Sequence, residues 1–225
     1  MRIVYLRHAH KDFQNGDSKY FKHDPGITEI GVERTKQIAQ KLIELYGEPT
    51  QIISSPYRRA RETSLILNSS LKTPLDEIKI NVDLSEYLGN HNNVELDVTM
   101  ATKIHNPPHP ETFEQMKKRI KKYLDKNKKK SYYKGVTWVV THGLIIKQIA
   151  SSLGIKSSKQ LPYLTCFSIL EKGDLIRAEF LLFCSMTEEV EKKERKMEKF
   201  LINPSLDYTG RDDISGRSKP YSKYI

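Results

Sequence analysis

The chain has few of the residues that build disulfide frameworks and metal clusters. Its 225 residues include only two cysteines, Cys166 and Cys184, and these lack the spacing of zinc ligands. A disulfide scaffold is therefore excluded, and a reducing compartment is indicated. No apolar run approaches the roughly 18 residues that cross a bilayer, and Arg7 and His8 interrupt what would be the apolar part of a signal peptide. We expect a cytoplasmic protein without a membrane partner.

Acidic residues are also in the minority. The 28 Asp and Glu residues face 38 Lys and Arg residues, and the net charge of +10 favours anionic ligands. Many of the basic side chains fall in residues 117–134, where Asp125 is the only acid, so nucleic acid is an alternative partner. A solvated helix face explains this run better, because few aromatic residues that could stack on bases interrupt it.

Short apolar runs alternate with segments of helical spacing. Strands are predicted at residues 3–6, 51–54, 79–82, 136–141, 165–170 and 175–182. Helical segments follow the N-cap candidate Thr28 and the residues Pro56, Phe113 and Gly143. The last two strands flank a Gly173-Asp174 turn signal, which favours a hairpin. The pattern predicts an α/β three-layer sandwich that has a mostly parallel central sheet, helices on both faces and an antiparallel edge strand.

The composition changes near the end of the chain. We predict one domain over residues 1–185, a peripheral charged helix over 186–204 and an extended or disordered tail over 205–225. A capping-box pattern at Ser185 and Glu188 indicates the helix, and polar residues dominate the sequence after Pro204.

Several residues that bind anions follow the predicted strands. Ligands of open α/β sheets bind at the carboxyl ends of the strands. His8 follows the first strand there, Arg7 adjoins it, and His142 follows the strand at 136–141. The helix start after the second strand carries three more arginines, Arg58, Arg59 and Arg61. Arginine forks beside histidines at a helix start indicate a phosphate site.

Five segments, in this order, carry a resemblance to a known family. They are Leu6-Arg7-His8-Ala9, Thr28-Glu-Ile-Gly31, Ser54-Ser-Pro-Tyr-Arg-Arg-Ala-Arg-Glu-Thr63, Pro110-Glu-Thr112 and Val139-Val-Thr-His-Gly143. Together they resemble the sequence blocks of the histidine phosphatase superfamily, also called the phosphoglycerate mutase-like fold, over residues 1 to about 183.

The resemblance implies a phosphatase with a covalent phosphohistidine intermediate. His8 is the implied nucleophile, and Arg7, Arg59 and His142 are implied to hold the phosphoryl oxygens; the register of the motif selects Arg59 from the arginine cluster. His142 is therefore both a catalytic and a phosphate-binding candidate. The family implies no metal and no other cofactor. The expected substrate is a phosphorylated small molecule or a phosphoprotein, and a homodimer is left open.

The general acid and one pocket residue depart from the family pattern. Glu86 in Leu84-Ser-Glu-Tyr-Leu-Gly89 resembles the family's Leu-x-Glu segment, which implies that it is the proton donor. Two residues separate it from the glycine where the family more often has three, so Glu111 stays a second candidate. His10 stands where the family commonly has an acidic residue, and we expect it to alter substrate choice or pH optimum.

Three rival functions remain. A metal hydrolase could use His8, His10 and His142 as ligands, but the chain is short for the usual barrel of that class. A phosphoglycerate mutase-like phosphotransferase is disfavoured because the segment from Tyr87 lacks the family's Arg-x-Tyr-Gly-like sequence. A non-catalytic basic binding scaffold on the same fold is disfavoured because the histidines and arginines of the motifs are intact.

Overall fold

A computed structural model of the chain describes residues 1–11, 25–87, 111–128, 135–157, 161–172, 175–181 and 198–202. Its strands are β1 Arg2–Arg7, β2 Gln51–Ser54, β3 Ile78–Ile80, β4 Val136–Thr141, β5 Cys166–Lys172, β6 Leu175–Leu181 and β7 Glu198–Ile202. Its helices are α1 Glu29–Tyr46, α2 Arg58–Ser69, α3 Phe113–Lys128 and α4 Gly143–Ser152, and a 3₁₀ turn spans Val82–Leu84. None of these helices combines the length and the apolar character that crossing a bilayer requires.

The strands form one mixed sheet in the order β3-β2-β4-β1-β5-β6-β7. The first four strands in this order run parallel to one another, and β5, β6 and β7 continue the sheet in antiparallel pairs. The predicted α/β architecture with parallel central strands and an antiparallel edge is therefore confirmed. The parallel half of the sheet places the carboxyl ends of β2, β4 and β1 side by side.

Alternate residues of the central strands face two separate cores. On β1, Val4 and Leu6 point to the core that α1 and α2 cover, while Ile3 and Tyr5 point to the core that α3 and α4 cover. Trp138 of β4 is fully buried in the first of these cores. Burial on both faces explains why these strands read as continuous apolar runs rather than as alternating patterns.

Helix α1 begins where the sequence predicts. The Thr28 hydroxyl accepts a hydrogen bond from the Gly31 N–H at 3.0 Å, as expected of an N-cap. The helix ends at Gly47, whose positive φ of 80° suits glycine and whose N–H donates to the Ile43 carbonyl.

Two predicted elements differ in the structure. The strand predicted at 79–82 occupies Ile78–Ile80, because the Asn81 side chain accepts from the Asp83 N–H and turns the chain into the 3₁₀ turn. The prediction of a helix over 186–204 is wrong at Glu198–Ile202. These residues form strand β7, which pairs with β6. Backbone hydrogen bonding along an exposed sheet edge outweighs local helical patterning there.

Some predictions concern other parts of the chain. The Gly173-Asp174 turn, the remainder of the segment 186–204 and the tail 205–225 lie outside the described residues. The division into one domain, an appended segment and a tail stays a prediction.

Candidate active site

Three polar residues follow the parallel strands at one edge of the sheet. His8 follows β1, His142 follows β4 and Ser55 follows β2, and all three side chains are buried. Backbone hydrogen bonds extend the strand pairing into this edge: the His8 N–H donates to the Thr141 carbonyl at 2.9 Å, and the Ser55 N–H donates to the Val140 carbonyl at 2.8 Å. The side chains of the site are therefore positioned by the hydrogen-bonded ends of parallel strands.

Hydrogen bonding selects the tautomer of His8. Its Nδ1 lies 2.8 Å from the Ala9 carbonyl oxygen, and a carbonyl only accepts, so Nδ1 carries the proton and Nε2 carries the lone pair. The Ala9 N–H in turn donates to the Thr63 hydroxyl at 3.0 Å, which holds the preceding peptide, between His8 and Ala9. Burial, followed by the charges of His142 and Arg59, holds the pKa of His8 well below its usual range. The ring is therefore neutral, and the lone pair of its Nε2 is available.

His142 lies against His8, with 5.2 Å between the ring centroids. Its Nε2 is 2.8 Å from the Ser55 hydroxyl oxygen, which also accepts the Tyr57 N–H at 3.5 Å. The Ser55 hydroxyl can donate to Nε2, and in that tautomer Nδ1 of His142 carries the ring proton. That nitrogen has no hydrogen-bond partner among the described residues. Burial, followed by the charge of Arg59, lowers the pKa of His142, which keeps the ring neutral.

Arg59 and Glu86 form an ion pair beside these histidines. Arg59 belongs to the first turn of α2, is buried, and donates from Nη2 to Oε2 of Glu86. The same carboxylate oxygen lies 3.6 Å from Nδ1 of His142. The Glu86 side chain is 29% exposed, whereas that of Arg59 is 2% exposed. Burial alone would raise the pKa of Glu86, but the nearby charges, Arg59 first, lower it overall.

Arg7 occupies the last position of β1. Its Nη1 donates to the Leu161 carbonyl, and its guanidinium lies 4.1 Å from the centre of the Tyr163 ring. Its buried Nε has no hydrogen-bond partner among the described residues. A Cβ at position 143 would meet the Arg7 side chain at 3.4 Å, so Gly143 leaves room for it. Arg7 therefore has a donor to offer an anion.

The electrostatic balance of the cluster favours an anion. The positive charges of Arg7, Arg59 and the half-buried Lys11 act on Glu86 together. Burial, followed by the charge of Arg59, lowers the pKa of Lys11. Helices α2 and α4 both begin at this edge without a side-chain cap, so their N-terminal partial charges add to the field. The arrangement suits an anion.

Glu111 lies elsewhere in the molecule. Its two carboxylate oxygens accept from Nε and Nη2 of Arg119 at 2.8 and 2.6 Å, and both side chains are buried. The structure thus brings Glu86, and not Glu111, to the two histidines.

The family model for the histidine phosphatase superfamily (branch 1) matches residues 3–171. The chain belongs to the histidine phosphatase superfamily. A curated relative from Hydrogenobacter thermophilus, named "Putative phosphoserine phosphatase 2", is 27% identical over 152 residues, which are 63% of this chain and 73% of the relative.

Solved structures share the fold of this superfamily member. A mycobacterial glucosyl-3-phosphoglycerate phosphatase in complex with VO3 aligns with a TM-score of 0.57 and 19% identity, over 80% of this chain and 97% of that one. A phosphoglycerate mutase from Bacillus anthracis aligns with a TM-score of 0.55 and 18% identity, over 76% of this chain and 88% of that one.

His10 contacts Thr28 and Tyr163. Its Nδ1 lies 3.1 Å from the Thr28 hydroxyl oxygen, and its ring contacts the ring of Tyr163 at a centroid distance of 5.0 Å. Among the described residues, no three His, Cys, Asp or Glu side chains are grouped as metal ligands would be. The three-histidine metal site considered from sequence therefore has no support in this geometry.

Sequence reasoning missed three residues of this histidine phosphatase superfamily site. Ser55 orients His142, and it could have been found because it follows β2 as His8 follows β1. Tyr163 covers Arg7 and lies 5.6 Å from His8 between ring centroids, but no local pattern distinguishes it. Arg119 was read only as part of a solvated basic run, although its side chain is buried.

Proposed function

We propose that the protein is a phosphomonoester hydrolase that works through a phosphohistidine on His8. The observation that carries this proposal is the tautomer of His8: the Nδ1–H bond to Ala9 leaves the Nε2 lone pair for attack on phosphorus. The neighbouring donors of Arg7, Arg59 and His142 are suited to the phosphoryl oxygens. The relatives that are named as phosphatases support hydrolysis as the reaction class.

The first chemical step forms a P–N bond and breaks the P–O bond of the ester. The Nε2 lone pair of His8 attacks phosphorus, and the leaving oxygen takes the bonding electrons and a proton from Glu86. Arg7 and Arg59 neutralise the charge that spreads over the other phosphoryl oxygens, and the neutral His142 donates from Nδ1. These fixed cations supply the charge neutralisation for which other phosphatases use metal ions.

Glu86 must be protonated for this step, although Arg59 holds it ionised in the free protein. An incoming phosphate dianion competes for Arg59 and brings negative charge close to the carboxylate. Both effects raise the pKa of Glu86 and favour uptake of a proton. In the second step, Glu86 removes a proton from water, the oxygen attacks phosphorus, and the P–N bond to His8 breaks.

A trapping experiment tests the proposal. After incubation with a labelled phosphomonoester and a quench with alkali, the wild type is expected to carry an acid-labile phosphoryl group, and His8→Ala is expected to carry none and to lose essentially all turnover. His10→Ala is the matched control, because it removes a neighbouring imidazole and leaves His8 able to trap phosphate. Label retained by His8→Ala contradicts the proposal.

Metal independence is tested separately. Turnover is expected to survive excess chelator, since arginines and histidines bind the phosphoryl group in the proposed steps. Activity that chelator abolishes and that zinc or manganese restores would favour the metal alternative.

The proposed substrate class is a phosphorylated small molecule or a phosphoprotein. A panel of phosphometabolites and phosphopeptides, compared by kcat/KM, distinguishes these two classes. A mutase-like phosphotransferase would instead move the phosphoryl group to a second hydroxyl without release of phosphate.

A further inference from the structure

The backbone that leads to Glu86 is held at three consecutive carbonyls. Nη1 of Arg119 donates to the Asp83 carbonyl at 2.7 Å and to the Ser85 carbonyl at 3.0 Å. The hydroxyl of Thr141 donates to the Leu84 carbonyl between them at 2.8 Å. The last two residues of the 3₁₀ turn and the residue after it are thereby tied to α3 and to β4 at once.

Arg119 is itself immobilised. The fork of Nε and Nη2 bonds both oxygens of Glu111, which leaves Nη1 directed at the two carbonyls. The side chains of Arg119 and Glu111 are only 5% and 2% exposed. A planar guanidinium held at both ends has little rotational freedom, and a lysine could not reproduce this set of contacts.

The second holding residue belongs to the strand that carries His142. Thr141 is the last residue of β4, and His142 follows it directly. The distance between Nδ1 of His142 and Oε2 of Glu86 therefore depends on a short path through Thr141 and Leu84. A change at Thr141 is expected to move the carboxyl relative to the phosphoryl site.

Stability alone is a poor explanation for the Arg119–Glu111 pair. The charges must be removed from water to form it, and apolar replacement of such pairs is often neutral or stabilising in other proteins. A role in fixing the geometry of a neighbouring group accounts for a buried ion pair at this place.

We propose that Arg119 and Thr141 are positioning residues that hold the Glu86 carboxyl at the phosphoryl site. The inference rests on the proposed function of Glu86 as proton donor. Neither residue touches the reacting atoms, so their effect must pass through Glu86. Proton donation matters most for poor leaving groups, which gives this role a kinetic signature that general destabilisation lacks.

Two variants test this role, and each removes a different hydrogen-bond donor to the backbone before Glu86. Thr141→Val removes one hydroxyl donor at nearly constant volume, and the double variant Arg119→Met with Glu111→Leu removes both buried charges together, so that no unpaired charge is left behind. Lys122→Met is the matched control, because Lys122 is an exposed cation on the same helix. For each, kcat/KM is measured with an alkyl and an aryl phosphate, together with Tm.

Both test variants are expected to lose about tenfold to a hundredfold in kcat/KM on the alkyl phosphate and clearly less on the aryl phosphate. The control is expected to match the wild type on both. Equal losses on the two substrates, or no loss, overturn the inference. If the double variant does not fold, the substrate ratio of Thr141→Val decides alone.

Failure of this inference is separable from failure of the proposed function. Glu86→Gln is measured alongside with the same two substrates. The inference alone is rejected if Glu86→Gln loses more kcat/KM on the alkyl than on the aryl phosphate but the positioning variants do not. If Glu86→Gln itself shows no such difference between the two substrates, the role of Glu86 as proton donor is rejected. The inference then loses its basis.

Discussion

At the scale of single residues, the carboxylate of Glu86 contacts Arg59 and lies 3.6 Å from Nδ1 of His142. Both of these donors are proposed to bind phosphoryl oxygens, so the carboxylate lies where a substrate oxygen would compete with it. Glu86 is ionised in the free protein, and the proposed first step requires it protonated. The negative charge of a bound substrate would favour that protonation.

Glu86→Gln keeps the shape of the side chain but removes the exchangeable proton. We expect hydrolysis of alkyl phosphates to slow by about two to four orders of magnitude and that of aryl phosphates to slow less, because a good leaving group barely needs protonation. Steady-state kcat/KM for matched alkyl and aryl esters measures the difference. Similar small losses on both esters would make Glu86 a bystander.

The lowered pKa of His8 predicts activity in mild acid. Burial disfavours the imidazolium, so His8, the proposed nucleophile, stays neutral below pH 6.5 and is protonated only at lower pH. The rate of phosphoenzyme formation from an aryl phosphate is therefore expected to fall only below pH 6.5. The rates are first corrected for the second ionisation of the substrate. The fall in rate on the acid side is called the limb below. Rapid-quench kinetics measures this limb.

Glu86→Gln is the control for that profile, since an aryl ester needs little help from the acid. Because the Glu86 carboxylate raises the pKa of His8, the limb should move to lower pH in this variant and not to higher pH. A half-maximal rate at or above pH 6.5 would contradict the neutral, buried state of His8.

At the scale of elements, the start of α1 packs on the segment that follows His8. The Thr28 N–H donates to the His10 carbonyl at 3.0 Å, and a Cβ at position 31 would lie 2.8 Å from the same oxygen. Gly31 is thus required for a close approach of helix and backbone rather than for its own conformation. This contact links the helix N-terminus to the nucleophile.

Gly31→Ala sets two effects against each other. Alanine favours the helix by up to about 1 kcal/mol over glycine, while overpacking against backbone costs about 1–3 kcal/mol. We expect a net loss in the free energy of unfolding, measured in urea, together with lower kcat. Gln37→Ala, at an exposed position of the same helix, should leave both nearly unchanged. A gain in the free energy of unfolding for Gly31→Ala would show that the backbone at His10 moves to make room for the Cβ.

At the scale of the whole molecule, the candidate site belongs to the parallel half of the sheet, and β5, β6 and β7 extend the other half. Strand β7 covers the edge of β6 through backbone pairing. An uncovered edge presents unpaired N–H and carbonyl groups that promote association between chains. The end of the described chain therefore contributes to the sheet edge rather than to the site.

Truncation separates these contributions. Removal of residues 187–225, which include β7, is expected to leave kcat on a small aryl phosphate largely intact but to lower Tm, because the pairing of β6 with β7 is lost. Removal of 203–225 keeps β7 and serves as the control. Turnover and light scattering are measured for both. Loss of turnover in a monodisperse 187–225 deletion would place part of the site in that segment.

Local patterns predicted much of the fold. The runs at 51–54 and 136–141 match β2 and β4, and Thr28 caps α1 as its side-chain chemistry requires. Such signals succeed because strand burial and helix capping depend on near neighbours in sequence. The strand β7 was missed, because edge pairing is a contact with a distant segment that local helical spacing does not report.

The sequence by itself determined which residue types follow the strands, and so it predicted an anion site from His8, Arg7, His142 and an arginine cluster. The family resemblance selected Arg59 from that cluster, and the structure places Arg59 beside both histidines. Only the tertiary structure decided what each group can do there. The choice between Glu86 and Glu111, the lone pair on Nε2 of His8 and the carbonyls held by Arg119 all depend on distances between remote segments. Proton positions and pKa values follow from those distances and from burial, and neither is encoded in any local stretch of the chain.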